Sequence, residues 1–230
     1  MVRNQHNVGT QSSLQEHGVP VDRDRTGLVR RGLLLNYVTI GYNAVEACVS
    51  IVAGVIAGSV SLVGFGLDSV VEVTASLAAQ WRLRSDLDVE VRRRVEEHSH
   101  RIIGFSFLAL AVYVAWEGVS ALRRGEGPER SMLGVAILTA SVVVMPLLAR
   151  SKRRIAIALS SGALVSEAKQ TSLCAYLSAI ALVGVGLTTF FGLWWADSVA
   201  ALGMVPIIAI EGIEGVRGEK HCDDCDPVEL

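Results

Sequence analysis

The sequence predicts an all-α, polytopic membrane protein built as a bundle of six transmembrane helices. Three observations carry that prediction. Apolar residues make up 51% of the 230-residue chain and mean hydropathy is +0.44, a bias toward the membrane class. Apolar runs of about 20 residues, enough to cross a hydrocarbon core at about 1.5 Å per residue, recur along most of the chain. Arginine and lysine gather at alternate breaks between those runs, the pattern that orients membrane spans.

The elements follow in order. Residues 1–31 form a polar cytoplasmic segment, expected to be partly disordered and carrying no signal peptide. The transmembrane domain covers 32–215, with spans at Gly32–Ile56, Ser59–Gln80, Ile102–Leu122, Met132–Ala149, Leu164–Leu187 and Leu193–Ile213. Very short connections pair span one with two and span five with six. The segment Arg84–His100, of mixed charge, fits a water-facing helix; its His98 and His100 stand two apart and do not share a helix face. Residues 216–230 form a short cytoplasmic tail containing His221, Cys222 and Cys225.

Arg30 and Arg31 precede span one, Arg92, Arg93 and Arg94 lie between spans two and three, and Arg150, Lys152, Arg153 and Arg154 lie between four and five. The opposite side carries only Arg123, Arg124 and Arg130. Both termini are therefore expected in the cytoplasm, with the bundle in a cell inner or plasma membrane. Gly54 and Gly58 form a small-xxx-small pair suited to close helix packing.

Several function classes are disfavoured. The net charge of −2 says nothing about nucleic acid, but no basic, aromatic-interleaved stripe occurs, so no nucleic-acid partner is expected. Two cysteines in spans and two in the tail make no disulfide framework. An intramembrane hydrolase would need a nucleophile–base pair or an H-E-x-x-H zinc motif, and neither occurs. A passive channel fits less well than a closed site, because the embedded polar groups gather at one depth. No cofactor is implied.

Chemistry concentrates in Asp68 and Glu72, one helical turn apart inside span two and on one face. An ionised group at membrane depth costs from about 3 to above 10 kcal/mol unless a polar cavity or partner compensates it. No Lys or Arg lies between Arg31 and Arg82, so a bound cation is the natural partner. Depth matching adds others. Asn43 and Glu46 in span one lie roughly 16–21 Å from its cytoplasmic start, and Cys174 in span five roughly 15 Å in. Asn43, Asp68, Glu72 and Cys174 thus converge near the bilayer midplane, with Gln170 on the same face as Cys174.

Asn43 reads equally as a ligand or as a helix-packing amide, and Cys174 as a ligand or a small buried hydrophobe. Glu46 fits an outer acid or a proton carrier. Glu167, beside Lys169, suits a gate ion pair as well as metal contact, and Glu117 and Asp197 suit packing or gating. Carboxylates with a possible thiolate favour a transported or bound zinc-class dication, with Mn²⁺, Fe²⁺, Co²⁺ and Cd²⁺ open. The acids can be neutralised by a dication or by protons, which predicts cation/proton exchange. In the tail, His221, Cys222 and Cys225 offer half a zinc site, a capture arm or simply a polar end.

The span-two run Gly58-SVSLVGFGLDSVVE-Val73, the span-five run Ser166-EAKQTSLCAYLS-Ala179 and the span-six run Trp194-WADSVAAL-Gly203 resemble the cation diffusion facilitator family of divalent-metal transporters. The resemblance implies a homodimer, proton-coupled export of metal from the cytoplasm, and a tetrahedral site from spans two and five. Asp68 and Glu72 stand at the family's Asp-x3-Asp, and Gln170 and Cys174 where it has His-x3-Asp. The chain also looks like a short divergent branch without the family's cytoplasmic C-terminal domain. A metal-binding regulator with little turnover is the alternative that the altered span-five pair allows.

Overall fold

The computed structural model describes residues 21–84, 89–125, 127–158 and 162–217, with side chains described for 30–77, 101–125, 127–158 and 168–217. The described residues form six α-helices: α1 (Val21–Ala57), α2 (Val60–Arg84), α3 (Val89–Arg124), α4 (Met132–Ala158), α5 (Gly162–Phe191) and α6 (Ala196–Arg217). Each contains a stretch long and apolar enough to cross a membrane. The protein is a multi-pass integral membrane protein, and its surface shows why. Val55, Trp116 and Phe191 are 67%, 71% and 74% exposed, whereas Asn43, Glu46, Ser50, Asp68, Glu72 and Asp197 are buried. Hydrocarbon outside and polar groups within suit lipid as the solvent, because lipid cannot satisfy a polar group.

The helices pack as three close pairs, α1 with α2, α3 with α6 and α4 with α5. α2 also touches α3, α5 and α6, so its acids face protein rather than lipid. The α1–α2 turn is made in two residues. Gly58 adopts a φ of 67°, the left-handed conformation that ends a helix at little cost in glycine. The Ser59 amide then donates back to the Gly54 carbonyl at 2.9 Å, and the Ser59 hydroxyl accepts from the Leu62 amide at 3.2 Å, capping α2. Gly54 and Gly58 therefore do different jobs. A Cβ on Gly54 would stand 2.8 Å from the Val63 amide nitrogen, so its absence permits backbone contact between α1 and α2. Gly58 meets nothing within 4 Å and serves as the turn.

Three helix ends run furthest beyond the apolar boundaries. α1 begins at Val21 rather than near Gly32, α3 begins at Val89, and α4 continues to Ala158 past the expected end at Ala149. Hydropathy marks only the lipid-facing length, while a helix continues wherever polar residues with good propensity extend it into water or protein. Residues 1–20 lie outside the described residues, as do His221, Cys222 and Cys225 of the tail.

Candidate metal site

The connections α1–α2, α3–α4 and α5–α6 share one end of the bundle, where Asp197 meets the start of α2. The Asp197 carboxylate accepts from the Ser59 hydroxyl at 2.6 Å, from the Val60 amide at 2.8 Å and from the Ser61 amide at 3.4 Å. The Ser61 hydroxyl donates to it as well. Two side-chain hydroxyls and two first-turn amides saturate this carboxylate at the positive end of α2. Asp197 thus ties the start of α6 to the first turn of α2 at the bundle's end.

That clamp fixes a common level from which depth can be counted. Val60 and Gly184 both lie beside Asp197. At 1.5 Å per residue, Asp68 lies roughly 12 Å below that level, Cys174 roughly 15 Å, Glu72 roughly 18 Å, and Gln170 and Glu211 roughly 21 Å. Gly54 packs on Val63, which puts Glu46 and Asn43 roughly 17–21 Å down. Helices α1, α2, α5 and α6 thus hold these polar groups in one slab.

Within the slab, α2 separates two compartments. On the side of α3, α5 and α6, Asp68, Glu72, Gln170 and Glu211 line one pocket whose remaining walls are Phe, Leu and Ile side chains. Its free space is about 10 Å³, close to what one water-sized guest needs. Asp68 and Glu72 are 4% and 2% exposed, and the Glu72 Oε2 has no hydrogen-bond partner among the described residues. The Gln170 Nε2 is likewise buried without one. Buried polar atoms are normally satisfied, so two open valences on one pocket mark a place prepared for something else.

The other compartment, toward α1 and α4, is differently made. Glu46 accepts from the Ser69 hydroxyl at 2.8 Å and from the Cys174 thiol at 3.9 Å. The Ser141 hydroxyl also donates to it, and Tyr42 and Ser141 share a hydrogen bond of 3.1 Å. Cys174 therefore lies between compartments: its thiol donates to Glu46 while the charges of Glu72 and Asp68 act on it. Asn43 is fully buried, and neither its Oδ1 nor its Nδ2 has a partner among the described residues. It does not line the Asp68 pocket.

Lys152 changes the charge picture drawn from the sequence. The expectation that α2 has no basic partner holds along the chain but not in space. Lys152 is 3% exposed; its ammonium donates to the Thr171 hydroxyl at 3.2 Å, which donates in turn to Glu72 Oε1 at 2.8 Å. Counted among loop cations, Lys152 instead sits inside α4 because that helix runs on to Ala158. One hydroxyl thus transmits a positive charge to one oxygen of Glu72 and leaves the other open.

The remaining candidates stand elsewhere. Glu117 faces Arg124 at 3.6 Å on a partly exposed stretch of α3. Lys169 pairs with Glu214 across α5 and α6 at 3.2 Å, and the side chain of Glu167 lies outside the described residues. Among the described residues, no three His, Cys, Asp or Glu side chains converge tightly enough to form a finished metal cage. Sequence reasoning missed Glu211, Lys152 and Thr171. Glu211 carried the same signal as Asp68, an acid inside an apolar span; Thr171 carried none.

No curated protein matches the chain. The family model described as the cation efflux transmembrane domain matches residues 93–217, more than half of the 230 residues. The match takes in α3 to α6 and leaves the Asp68 and Glu72 segment outside it. With six membrane-length helices and this match, the chain is a divalent-metal cation transporter rather than an enzyme and belongs to the cation efflux, or cation diffusion facilitator, family.

Proposed function

We propose that the protein exports a zinc-class divalent cation from the cytoplasm in exchange for protons, by alternating access around the pocket of Asp68, Glu72 and Gln170. The observation that carries this reading is the open oxygen of Glu72, held beside Asp68 in an enclosed space within a membrane-spanning bundle. Clustered acids in a medium of low polarity repel one another and lose hydration. A dication relieves both costs when bound, and protons relieve them when it leaves. Exchange between the two states is the cycle that fits, with helix pairs rocking about a fixed central site.

Gln170 supplies an amide on the adjoining helix, Cys174 a thiol at the pocket's back, and Asn43 and Glu46 polar groups on the far side of α2. A thiolate from Cys174 favours zinc among first-row ions. The basic residues at the ends of α2, α4 and α6 support cytoplasmic termini in a cell inner or plasma membrane. A homodimer, and metal capture by His221, Cys222 and Cys225, complete the proposal.

Metal flux into proteoliposomes tests it. The wild type should move metal faster when a proton gradient opposes the metal's direction, and Asp68→Asn and Glu72→Gln should lose transport while remaining folded. Flux indifferent to both substitutions would remove the site, and flux indifferent to the proton gradient would remove the coupling. The second reading, a metal-binding regulator, draws on Gln170 and Cys174 in α5 and predicts saturable metal binding with no flux.

A further inference from the structure

Lys152 is the buried cation that the paired motifs of α2 and α5 leave unexplained. Its neighbours Arg150, Arg153 and Arg154 near the end of α4 are exposed, whereas Lys152 is 3% exposed. A lysine at a membrane boundary ordinarily extends its ammonium toward water, and burying that charge is costly unless polar partners meet it. Here the ammonium reaches into the bundle and donates to the Thr171 hydroxyl at 3.2 Å. An ammonium has donors only, so the Thr171 oxygen accepts from it and directs its own proton onward, to Glu72 Oε1 at 2.8 Å. Neither Thr171 nor Lys152 lines the pocket, whereas Glu72 does. Glu72 is therefore held by one oxygen from behind, and its Oε2 has no hydrogen-bond partner among the described residues.

We propose that Thr171, backed by Lys152, is a specificity-determining positioning residue that commits Oε1 of Glu72 and presents the transported cation with Oε2 alone. The proposal rests on the transport reading above and narrows its substrate class. A carboxylate offered through one oxygen suits an ion content with four short bonds, such as Zn²⁺, whose carboxylate oxygens lie about 2.0–2.2 Å away. Ca²⁺ collects more oxygens and often takes both from one carboxylate, and Mn²⁺ favours an octahedron of oxygens. Both ions lose an oxygen of Glu72 to the Thr171 hydroxyl. The free space of about 10 Å³ does not admit several waters in its place. The Cys174 thiol touches Asp68 and Glu72 as well as Glu46, so a sulfur donor stands beside both acids and favours the same class of ion.

Competitive binding of Zn²⁺ and Mn²⁺ to the purified full-length protein tests this, with Cys222→Ser and Cys225→Ser removing the tail thiols. Thr171→Val deletes the hydroxyl and frees Oε1. It is expected to narrow the preference for Zn²⁺ over Mn²⁺ at least about tenfold, within the range for an outer partner of a metal ligand. Thr171→Ser keeps the hydroxyl and should retain the wild-type preference, which separates positioning from a general loosening that weakens both ions alike. A preference unmoved by Thr171→Val, or narrowed equally by Thr171→Ser, would overturn the proposal. If Thr171→Val does not fold, infrared spectra of the protein with Thr171 in place decide. Zn²⁺ should then give the widely split stretches of carboxylates bound through one oxygen, and the narrow splitting of two-oxygen binding would overturn the proposal. Asp68→Asn separates the two levels. Zn²⁺ binding that survives it removes the transport site and this proposal together, whereas binding lost in Asp68→Asn beside a preference unmoved by Thr171→Val discards only the role of Thr171.

Discussion

Asp197 and Glu72 are both buried acids that reach α2, one at its first turn and one near its middle, and their surroundings are opposite. Asp197 accepts from Ser59, Ser61 and two amides, so its charge is compensated by protein alone. Glu72 has one oxygen bonded to Thr171 and one with no partner among the described residues. Embedding a carboxylate in a membrane bundle does not by itself assign it a function. What distinguishes the two is satisfaction: a completed shell stabilises structure, while an incomplete shell facing a cavity has capacity for a guest.

Substitutions can break that comparison or sharpen it. The largest effect is expected at Asp68→Asn and Glu72→Gln, which should cut metal flux at least about 10–100-fold, the range for losing even an outer support of a metal ligand. Glu72→Gln takes the negative partner from buried Lys152 and should lower the melting temperature, whereas Asp68→Asn removes a buried charge and should hold or raise it. Asp197→Ala should do the reverse. It strands the Val60 and Ser61 amides and costs about 2–3 kcal/mol, read as a lower melting temperature in detergent, with flux per folded molecule retained.

Thr171→Val comes next. It removes the hydroxyl joining Lys152 to Glu72 and should cost about 1–3 kcal/mol, together with a loss of flux smaller than that of Glu72→Gln. Gly54→Ala presses a methyl onto the Val63 backbone 2.8 Å away and should destabilise by about 1–3 kcal/mol without touching metal binding. The smallest effect belongs to Arg124→Gln. It opens a partly exposed ion pair with Glu117 at 3.6 Å and should shift stability by less than about 1 kcal/mol.

Much of this architecture was legible in the sequence. Span number, the two short hairpins and the one-turn spacing of Asp68 and Glu72 follow from hydropathy and helical period, which are local properties. The depth of Asn43, Glu46, Cys174 and Gln170 was also countable, because straight helices convert sequence distance into height. Rotation about each helix axis was not countable. Whether Cys174 faces Asp68 or Glu46, and whether Asn43 reaches the pocket lined by Glu72, depends on how six cylinders are turned against one another. Lys152 was hidden for a different reason. A cation near a predicted boundary resembles a loop residue until the helix is seen to continue beneath it. Glu211 was visible under the rule that singled out Asp68, but with Glu214 three residues on it stands near the end of the expected span six, where acids draw less notice.

The account depends on the acids of α2 holding the transported ion, and metal uptake by reconstituted wild-type and Glu72→Gln protein, normalised to folded molecules, tests that most directly. The prediction is saturable, proton-coupled uptake by the wild type and near-background uptake per folded molecule by Glu72→Gln. Equal uptake by the two proteins would contradict it.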